Sequence, residues 1–233
     1  MKSSPNFTRF GPISTLKQLI VPAGRRAVKI PFGIFRGLKL NIDFKSQTQV
    51  YLGLWEFETY PYIRRALMNA RWIIDAGTGF GELCILFRQK LCQVVAIEPD
   101  EMSLSIFRSN MALNGISDTD LEIYPRYVGT LLDPEHIRLD DLQVDRLLPG
   151  FIKIDIEGAE MEALESGTTL ISECDVQLLV EVHSVKLEVE CLKFLANHGY
   201  ACEIIDNSRW RNIIPENRPI EHNRWIWAEK QPS

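Results

Sequence analysis

Hydrophobic residues occur along the chain in short continuous runs, which alternate with longer segments of helical spacing. The apolar runs predict strands at 72–75, 94–98, 121–124, 151–155, 177–183 and 201–206. The segments with apolar residues at helical spacing predict helices at 82–90, 102–114, 159–171 and 185–198. Strands that are apolar throughout and alternate with helices indicate an α/β protein, with a parallel sheet and helices on both faces.

The two ends of the chain add further elements to this pattern. The run at 224–228 predicts a last strand that no helix precedes. We therefore expect it to lie antiparallel to the run at 201–206, joined through the Pro-rich loop at 215–219. This strand completes a mostly parallel, seven-stranded sheet. Upstream, alternating residues predict a strand at 35–43, and helical spacing predicts a helix at 58–69.

The first part of the chain differs from the rest in pattern and in charge. Residues 1–34 show no steady periodicity beyond one short helix, so we expect an arm before a single domain at 35–233. No acidic residue precedes Asp43, but eight lysines and arginines do, whereas the remainder has 18 basic and 31 acidic residues. A basic arm can bind a membrane surface, nucleic acid or an anionic substrate. Because the charges are dispersed, we favour an arm that packs against the acidic body.

The composition is that of one soluble globular domain. The chain has 233 residues, 45% of them apolar and 24% charged. No apolar run reaches the roughly 20 residues of a membrane-spanning helix, and the first residues lack the apolar core of a secretory signal. We therefore expect no membrane span and a cytoplasmic location. The five cysteines form no CxxC pair, which favours buried free thiols over a zinc site or a disulfide framework.

The most informative segment is DAGTGFG at 75–81, between a buried strand and a helix. Gly77, Gly79 and Gly81 lack a Cβ, so the backbone can turn tightly and approach a ligand. Their GxGxG spacing differs from the GxGxxG of dinucleotide enzymes, and Asp75 would repel a pyrophosphate. A carboxylate in that place suits the sulfonium and ammonium groups of S-adenosylmethionine.

A second acid supports this interpretation. Glu98 ends the second strand, 23 positions after Asp75. An acid there can accept hydrogen bonds from both ribose hydroxyls, in S-adenosylmethionine and NAD alike. Glu98 alone does not choose between the two cofactors. Together with Asp75 and the three glycines, it favours S-adenosylmethionine over a nicotinamide cofactor.

Another acidic group follows the strand at 151–155. Asp155 ends that strand at the sheet edge where the glycine loop is expected, which favours a functional role. Glu157 and Glu160 flank the start of the next helix, where the helix dipole stabilises negative charge. For Glu160 a helix-start role and a functional role are both open.

Glu181 and His183 end the neighbouring strand. His183 could take a proton from a substrate hydroxyl, because the unperturbed pKa of histidine is near neutral. The alternative is a polar residue beside the start of the helix at Ser184. Asp155, Glu157 and His183 could chelate a divalent metal, but the ligands are sparse and one lies in a helix cap, so no metal is predicted.

With these motifs together, the chain resembles the FkbM-type methyltransferase family from about residue 35 to residue 228. The most specific motif is KIDIEGAE at 153–160, whereas DAGTGFG is shared by many methyltransferases. The further motifs are YLGLWE at 51–56, IEP at 97–99, LDDL at 139–142 and EVH at 181–183. The family commonly has Asn after the first glycine, where this chain has Thr78.

The resemblance implies a Rossmann-like class I methyltransferase that transfers a methyl group to a hydroxyl of a sugar, glycan or polyketide-like product. It also implies that Glu98 binds the ribose, that Asp75 and the glycine loop hold the methionine part, and that Glu56 approaches from the N-terminal side. The predicted cofactor-binding residues are Glu56, Asp75, Gly77, Thr78, Gly79, Gly81, Glu98, Pro99 and Asp155. The family establishes no single general base, so His183 and Asp155 are the predicted catalytic residues from the sequence alone.

Two other functional classes stay open. The first is a nicotinamide-dependent oxidoreductase, which the glycine spacing and Asp75 disfavour. The second is a non-catalytic scaffold that binds the nucleotide and would tolerate loss of Asp155 and His183. Nucleic-acid methylation is disfavoured, because the body is acidic and the aromatic-proline motif of amino-group methyltransferases is absent.

The substrate pocket is expected over the carboxyl edge of the sheet. The N-terminal region and the loop at 125–140 would cover it, with Arg126, Tyr127 and His136 lining it. The expected substrate is a small-molecule or glycan hydroxyl, and the sequence carries no signal of an oligomeric state.

Overall fold

The computed structural model describes residues 24–90, 92–208 and 222–230. The strands are β1 (Arg25–Lys29), β2 (Lys39–Asp43), β3 (Trp72–Ala76), β4 (Gln93–Ile97), β5 (Glu122–Tyr124), β6 (Tyr127–Val128), β7 (His136–Ile137), β8 (Gly150–Ile154), β9 (Val176–Val182), β10 (Tyr200–Ile205) and β11 (Arg224–Lys230). The helices are α1 (Thr48–Leu52), α2 (Tyr60–Asn69), α3 (Glu82–Arg88), α4 (Glu101–Leu113), α5 (Glu160–Ser166), α6 (Thr168–Glu173) and α7 (Val185–Asn197). Single 3-10 turns lie at Phe57–Thr59, Asp118–Asp120 and Leu139–Asp141.

The central sheet has seven strands in the order β10-β11-β9-β8-β3-β4-β5. β3 is parallel to both β4 and β8, and the pairs β4–β5 and β8–β9 are parallel as well. β11 is antiparallel to β10, as the sequence predicts, and also antiparallel to β9. The predicted Rossmann-like fold, mostly parallel with a final antiparallel strand, is therefore confirmed. Within the described ranges, no helix is both long enough and apolar enough to cross a membrane.

Alternate residues of the central strands belong to different cores, which explains why these strands are apolar throughout. In β3, Ile73 packs in a core with residues of α2, α3 and α4, whereas Ile74 packs on the opposite face with residues of α5, α6 and α7. Both side chains are completely buried. A strand with two buried faces has room for a polar side chain only near its ends. The acids that belong to the central strands lie there.

Two predicted elements differ from the observed ones. The strand predicted at 35–43 is a strand only from Lys39, because a turn closed by a hydrogen bond from the Ile30 nitrogen to the Leu38 oxygen (2.8 Å) precedes it. Gly33 and Gly37 have positive φ angles in this turn. The helix predicted at 159–171 is two helices that meet at Gly167.

The N-terminal region contributes a hairpin to the described part of the chain. β1 pairs antiparallel with β2, and the Asn41 nitrogen of β2 donates to Asn110 Oδ1 of α4 (2.7 Å). Most of the predicted arm, residues 1–23, lies outside the described residues, as does the predicted loop at 215–219, and residues 24–34 contain no helix. The boundary between an arm at 1–34 and a domain at 35–233 stays a prediction.

Candidate active site

The predicted site residues meet at one edge because the central strands are parallel. Asp75 is the next-to-last residue of β3, Glu98 follows β4, Asp155 follows β8 and His183 follows β9. The carboxyl ends of neighbouring parallel strands lie side by side, so these four side chains share one edge of the sheet. Open α/β sheets bind their ligands at this edge.

The glycine loop lies close to the end of β8, the strand beside β3 in the sheet, and each glycine has a different environment. All three have positive φ angles: 81° at Gly77, 58° at Gly79 and 81° at Gly81. A Cβ on Gly77 would stand 1.9 Å from the Asp155 carbonyl oxygen, and one on Gly81 would overlap the Phe107 ring. A Cβ on Gly79 would meet nothing within 4 Å. Gly77 and Gly81 therefore serve packing, and Gly79 is on the open side of the loop, where a ligand can approach.

The Thr78 side chain forms hydrogen bonds with the backbone of the two strand ends. Its hydroxyl donates to the Asp75 carbonyl oxygen (2.7 Å) and accepts from the Ile97 nitrogen (3.2 Å). These bonds join the end of β3 to the end of β4 and fix the first turn of the loop. Thr78 is buried, and its hydroxyl stabilises the loop through these two hydrogen bonds.

Glu98 and Pro99 connect β4 to the start of α4. Glu98 Oε2 accepts from the Gly79 nitrogen (2.8 Å), and Oε1 accepts from the Asp100 nitrogen (2.9 Å). Asp100 then caps α4 by accepting from the Ser103 nitrogen (2.7 Å). The Glu98 carboxylate is thus fixed beside the open glycine of the loop. A carboxylate oxygen can accept more than one hydrogen bond, so these contacts leave acceptor capacity for a ligand.

Asp75 is a buried carboxylate with one oxygen unused. Oδ2 accepts from the Cys84 thiol (3.3 Å), but Oδ1 has no hydrogen-bond partner among the described residues. Burial raises the pKa of Asp75 above its ordinary value, although Lys153 opposes the shift. An unpaired oxygen on a buried carboxylate is costly unless a ligand satisfies it. Asp75 therefore suits a cationic or hydrogen-bonding ligand in the glycine loop.

Lys153 is the residue of this site that the sequence analysis did not single out. Its Nζ donates to Asp155 Oδ2 (2.8 Å), and its side chain is mostly buried. Burial alone would lower the pKa of Lys153, but the charges of Asp155, Glu56 and Asp75 outweigh it and raise that pKa well above the ordinary value. The sequence feature that could have identified Lys153 is a lysine between two isoleucines in an apolar strand. A lysine ammonium buried in such a strand requires an anionic partner.

The carboxylates around Lys153 differ in protonation. Burial opposes ionisation of Asp155, but the adjacent Lys153 charge lowers its pKa below the ordinary value. Glu181 is almost completely buried, so its pKa rises well above the ordinary value, and the nearby charges of Asp155 and Glu56 add to this shift. Asp155 is accordingly the ionised member of this pair near neutral pH, and Glu181 holds a proton more strongly.

His183 is held in one orientation by Glu160. Its Nδ1 lies 2.5 Å from Glu160 Oε1, and its backbone nitrogen donates to the same oxygen (3.3 Å). Burial would lower the pKa of His183, but the hydrogen bond to Glu160 and the charge of Asp155 raise it above the ordinary value. The helix cap is Ser184, whose hydroxyl accepts from the Leu187 nitrogen. His183 Nε2 lies at the ligand edge and has no hydrogen-bond partner in the described part of the chain.

Glu56 lies near this group, and its backbone is strained. Its φ angle of 47° makes it the one described residue other than glycine with a positive φ. It is buried, and its charge raises the pKa of both Lys153 and Glu181. A strained, buried acid beside a ligand edge is common at functional sites. The structure thus places Glu56 with the site, from the segment between α1 and α2.

The residues expected to line the substrate pocket make local contacts. Tyr127 of β6 and His136 of β7 pack with tilted rings, 5.7 Å between centroids, and His136 Nδ1 lies 2.7 Å from Asp133 Oδ1. Arg126 is exposed. Their role as lining residues stays a prediction. A cavity of about 340 Å³ lies at the opposite, amino edge of the sheet, near Arg71, Gly150 and Gln177, and no predicted site residue lines it.

The sheet order and the glycine loop at the carboxyl ends of the strands define a Rossmann-like α/β fold. The model of the methyltransferase FkbM domain matches residues 117–202, a segment that contains Lys153, Asp155, Glu160, Glu181 and His183 but not the glycine loop. This match confirms the family resemblance of the sequence. No curated protein matches the chain.

Solved structures share the fold at low sequence identity. A methyltransferase FkbM from Methylobacillus flagellatus KT has a TM-score of 0.55 and 20% identity, over 68% of this chain and 43% of that one. The chain thus matches less than half of that protein. A SAM-dependent O-methyltransferase from Thermotoga maritima has a TM-score of 0.51 and 15% identity, over 76% and 66% of the two chains. An rRNA methylase from Streptococcus thermophilus has a TM-score of 0.51 and 11% identity, over 75% and 97%.

Proposed function

We propose that this protein is an S-adenosylmethionine-dependent methyltransferase. The observation that carries the proposal is the unpaired Oδ1 of buried Asp75, beside a glycine loop whose Gly79 is open and whose Gly79 nitrogen is held by Glu98. Asp75 would bind the positively charged methionine part, and Glu98 would bind the ribose hydroxyls. The FkbM domain match and the SAM-dependent neighbour from Thermotoga maritima support the same cofactor.

We further propose that the acceptor is a hydroxyl of a sugar, glycan or polyketide-like product. S-adenosylmethionine supplies an activated methyl group, which an acceptor oxygen attacks in line as S-adenosylhomocysteine leaves. The protein has to align the two reactants and exclude water. The candidate proton acceptors are Asp155, which is ionised, and His183, whose free Nε2 lies 4.0 Å from Asp155 Oδ1. The rRNA methylase among the neighbours shows that the shared fold alone does not specify an acceptor.

The test is transfer of a labelled methyl group from S-adenosylmethionine to a panel of hydroxylated acceptors. We expect label in a sugar or polyketide-type alcohol, and a rate at least about 100-fold lower in His183→Ala. His198→Ala is the control, since this histidine follows the far end of α7 and its Nδ1 lies 2.7 Å from the Phe194 carbonyl oxygen, away from the strand ends that carry the site. Transfer to an amine or to RNA, with no transfer to any alcohol, would exclude the proposed acceptor class.

A further inference from the structure

Three side chains at the ends of β8 and β9 each bring one possible metal-ligand atom into one small group. One carboxylate oxygen each of Asp155 and Glu181 and one ring nitrogen of His183 all lie within 4.8 Å of one another. The Nε2 atom is 4.0 Å from the Asp155 oxygen and 3.6 Å from the Glu181 oxygen. These separations exceed a hydrogen bond, and are near the spacing of about 3–3.5 Å between two ligands that bind one ion at roughly 2.1 Å each.

The histidine of this group is oriented as metal-binding histidines are. Glu160, which is fully buried, holds Nδ1 at 2.5 Å. This contact directs the opposite nitrogen, Nε2, toward the two carboxylates. The side chain of His183 is nine-tenths buried, and Nε2 has no hydrogen-bond partner among the described residues. A carboxylate behind the ring fixes the tautomer and increases the basicity of the nitrogen that faces a metal.

The charge of the group also favours a cation. Lys153 is the ammonium that balances these acids, and it bonds Asp155 through Oδ2. The second oxygen, Oδ1, is the one that faces His183. Glu56 acts on the same group from the N-terminal side, and Glu160 lies behind the histidine. A metal ion that displaces the proton of Glu181 would face two carboxylates, of which Lys153 balances one, so the charge of the ion would be compensated within the group.

We propose that Asp155, Glu181 and His183 bind a divalent transition-metal ion. One imidazole nitrogen and two carboxylate oxygens suit Mn²⁺, Fe²⁺, Co²⁺ or Zn²⁺ better than Mg²⁺, which prefers oxygen ligands and water. Three protein ligands leave coordination positions open for water or a substrate oxygen. Glu157 is the third candidate ligand in the sequence, whereas the geometry assigns that place to Glu181.

The role of this ion rests on the proposed function. An acceptor hydroxyl that binds the ion loses its proton to solvent more readily, because the cation stabilises the alkoxide. The alkoxide oxygen then forms the bond to the methyl carbon, while the electron pair of the broken carbon–sulfur bond stays on the leaving group. In this state His183 is a ligand and does not accept the proton. When the ion is absent, a proton bound to His183 Nε2 takes its position.

Titration of the EDTA-treated full chain with MnCl₂, followed by calorimetry and by the electron paramagnetic resonance of free Mn²⁺, tests the site directly. We expect one saturable site with a dissociation constant below about 1 mM. Glu181→Gln and His183→Ala should each weaken binding at least about 10-fold, and Glu160→Gln by about 10- to 100-fold through loss of the orienting bond. His198→Ala, at the far end of α7, should bind like the unchanged protein, and circular dichroism verifies that each variant is folded.

No saturable binding of Mn²⁺, Co²⁺ or Zn²⁺, or equal binding by the folded Glu181→Gln and His183→Ala variants, would overturn the site. Titration of the same samples with S-adenosylmethionine separates this failure from that of the proposed function. Cofactor binding without metal binding would exclude the metal site and leave the proposed function in place. Metal binding without cofactor binding removes the methyltransferase and leaves the metal site in place.

Discussion

At the scale of single residues, two glycines with nearly the same φ angle have very different surroundings. Gly77 and Gly158 have φ angles of 81° and 85°. An added Cβ would collide with the Asp155 carbonyl oxygen at Gly77, but would meet nothing within 4 Å at Gly158. The pair therefore separates the cost of the backbone conformation from the cost of the collision.

Gly158→Ala should lower the free energy of unfolding by about 1–2 kcal/mol, the cost of a left-handed alanine. Gly77→Ala should lower it by at least about 2 kcal/mol more, because the loop or β8 must also move. Urea unfolding of both variants measures the difference. Equal losses of unfolding free energy in the two variants would mean that Gly77 does not pack against Asp155 as closely as in the structure.

The sequence predicted the positions of the acids better than their contacts. Asp75, Glu98 and Asp155 were found from the sequence because each ends an apolar strand, and parallel strands end at one edge. The bond between Glu160 and His183 was not predicted, since it joins a helix start to a strand end 23 residues away. Lys153 was seen only as part of a motif, because a strand pattern does not show which buried acid will pair with a lysine.

At the scale of elements, a buried acid joins the last helix to the last strand. Glu188 of α7 binds Arg224 of β11 through both oxygens (2.5 and 2.8 Å), and also lies 2.9 Å from His222 Nε2. On the same helix, Glu190 forms an exposed pair with Lys186 at 3.8 Å. The two glutamates thus offer a buried contact and an exposed one within one helix.

Glu188→Gln should lower the free energy of unfolding by about 2–3 kcal/mol, because charged hydrogen bonds to the start of β11 are lost. Glu190→Gln should change it by less than about 0.5 kcal/mol. Thermal or urea unfolding of the two variants provides the comparison. A Glu188 variant as stable as the Glu190 variant would show that β11 is held by its sheet pairing alone.

The elements were predicted well where local signals determine them, and less well where distant contacts do. The division of the helix predicted at 159–171 depends on Asp140, whose oxygens accept from the Thr169 and Leu170 nitrogens (3.1 and 2.8 Å) at the start of α6. This cap comes from a turn about 30 residues earlier in the chain. The pairing of β11 with β10 was predicted, but its insertion beside β9 depends on a long-range register that periodicity does not contain.

At the scale of the whole molecule, the N-terminal hairpin is connected to the candidate cofactor loop. Asn110 of α4 accepts from the Asn41 nitrogen of β2 and donates to the Phe80 carbonyl oxygen (2.9 Å) in the glycine loop. The Arg25 guanidinium of β1 lies 4.3 Å from the centre of the Phe80 ring. The loop is therefore supported by the sheet on one side and by the hairpin on the other.

We propose that the edge formed by Asp75, Gly79 and Glu98 binds S-adenosylmethionine. Isothermal titration with S-adenosylmethionine, S-adenosylhomocysteine and NAD tests it most directly, with Asp75→Asn as the variant and the exposed Asp118→Asn as its control. We expect saturable binding of both sulfur nucleotides, weakened at least about 10-fold in Asp75→Asn and unchanged in Asp118→Asn, and no binding of NAD. Binding of NAD alone, or of none of the three, would contradict the methyltransferase assignment.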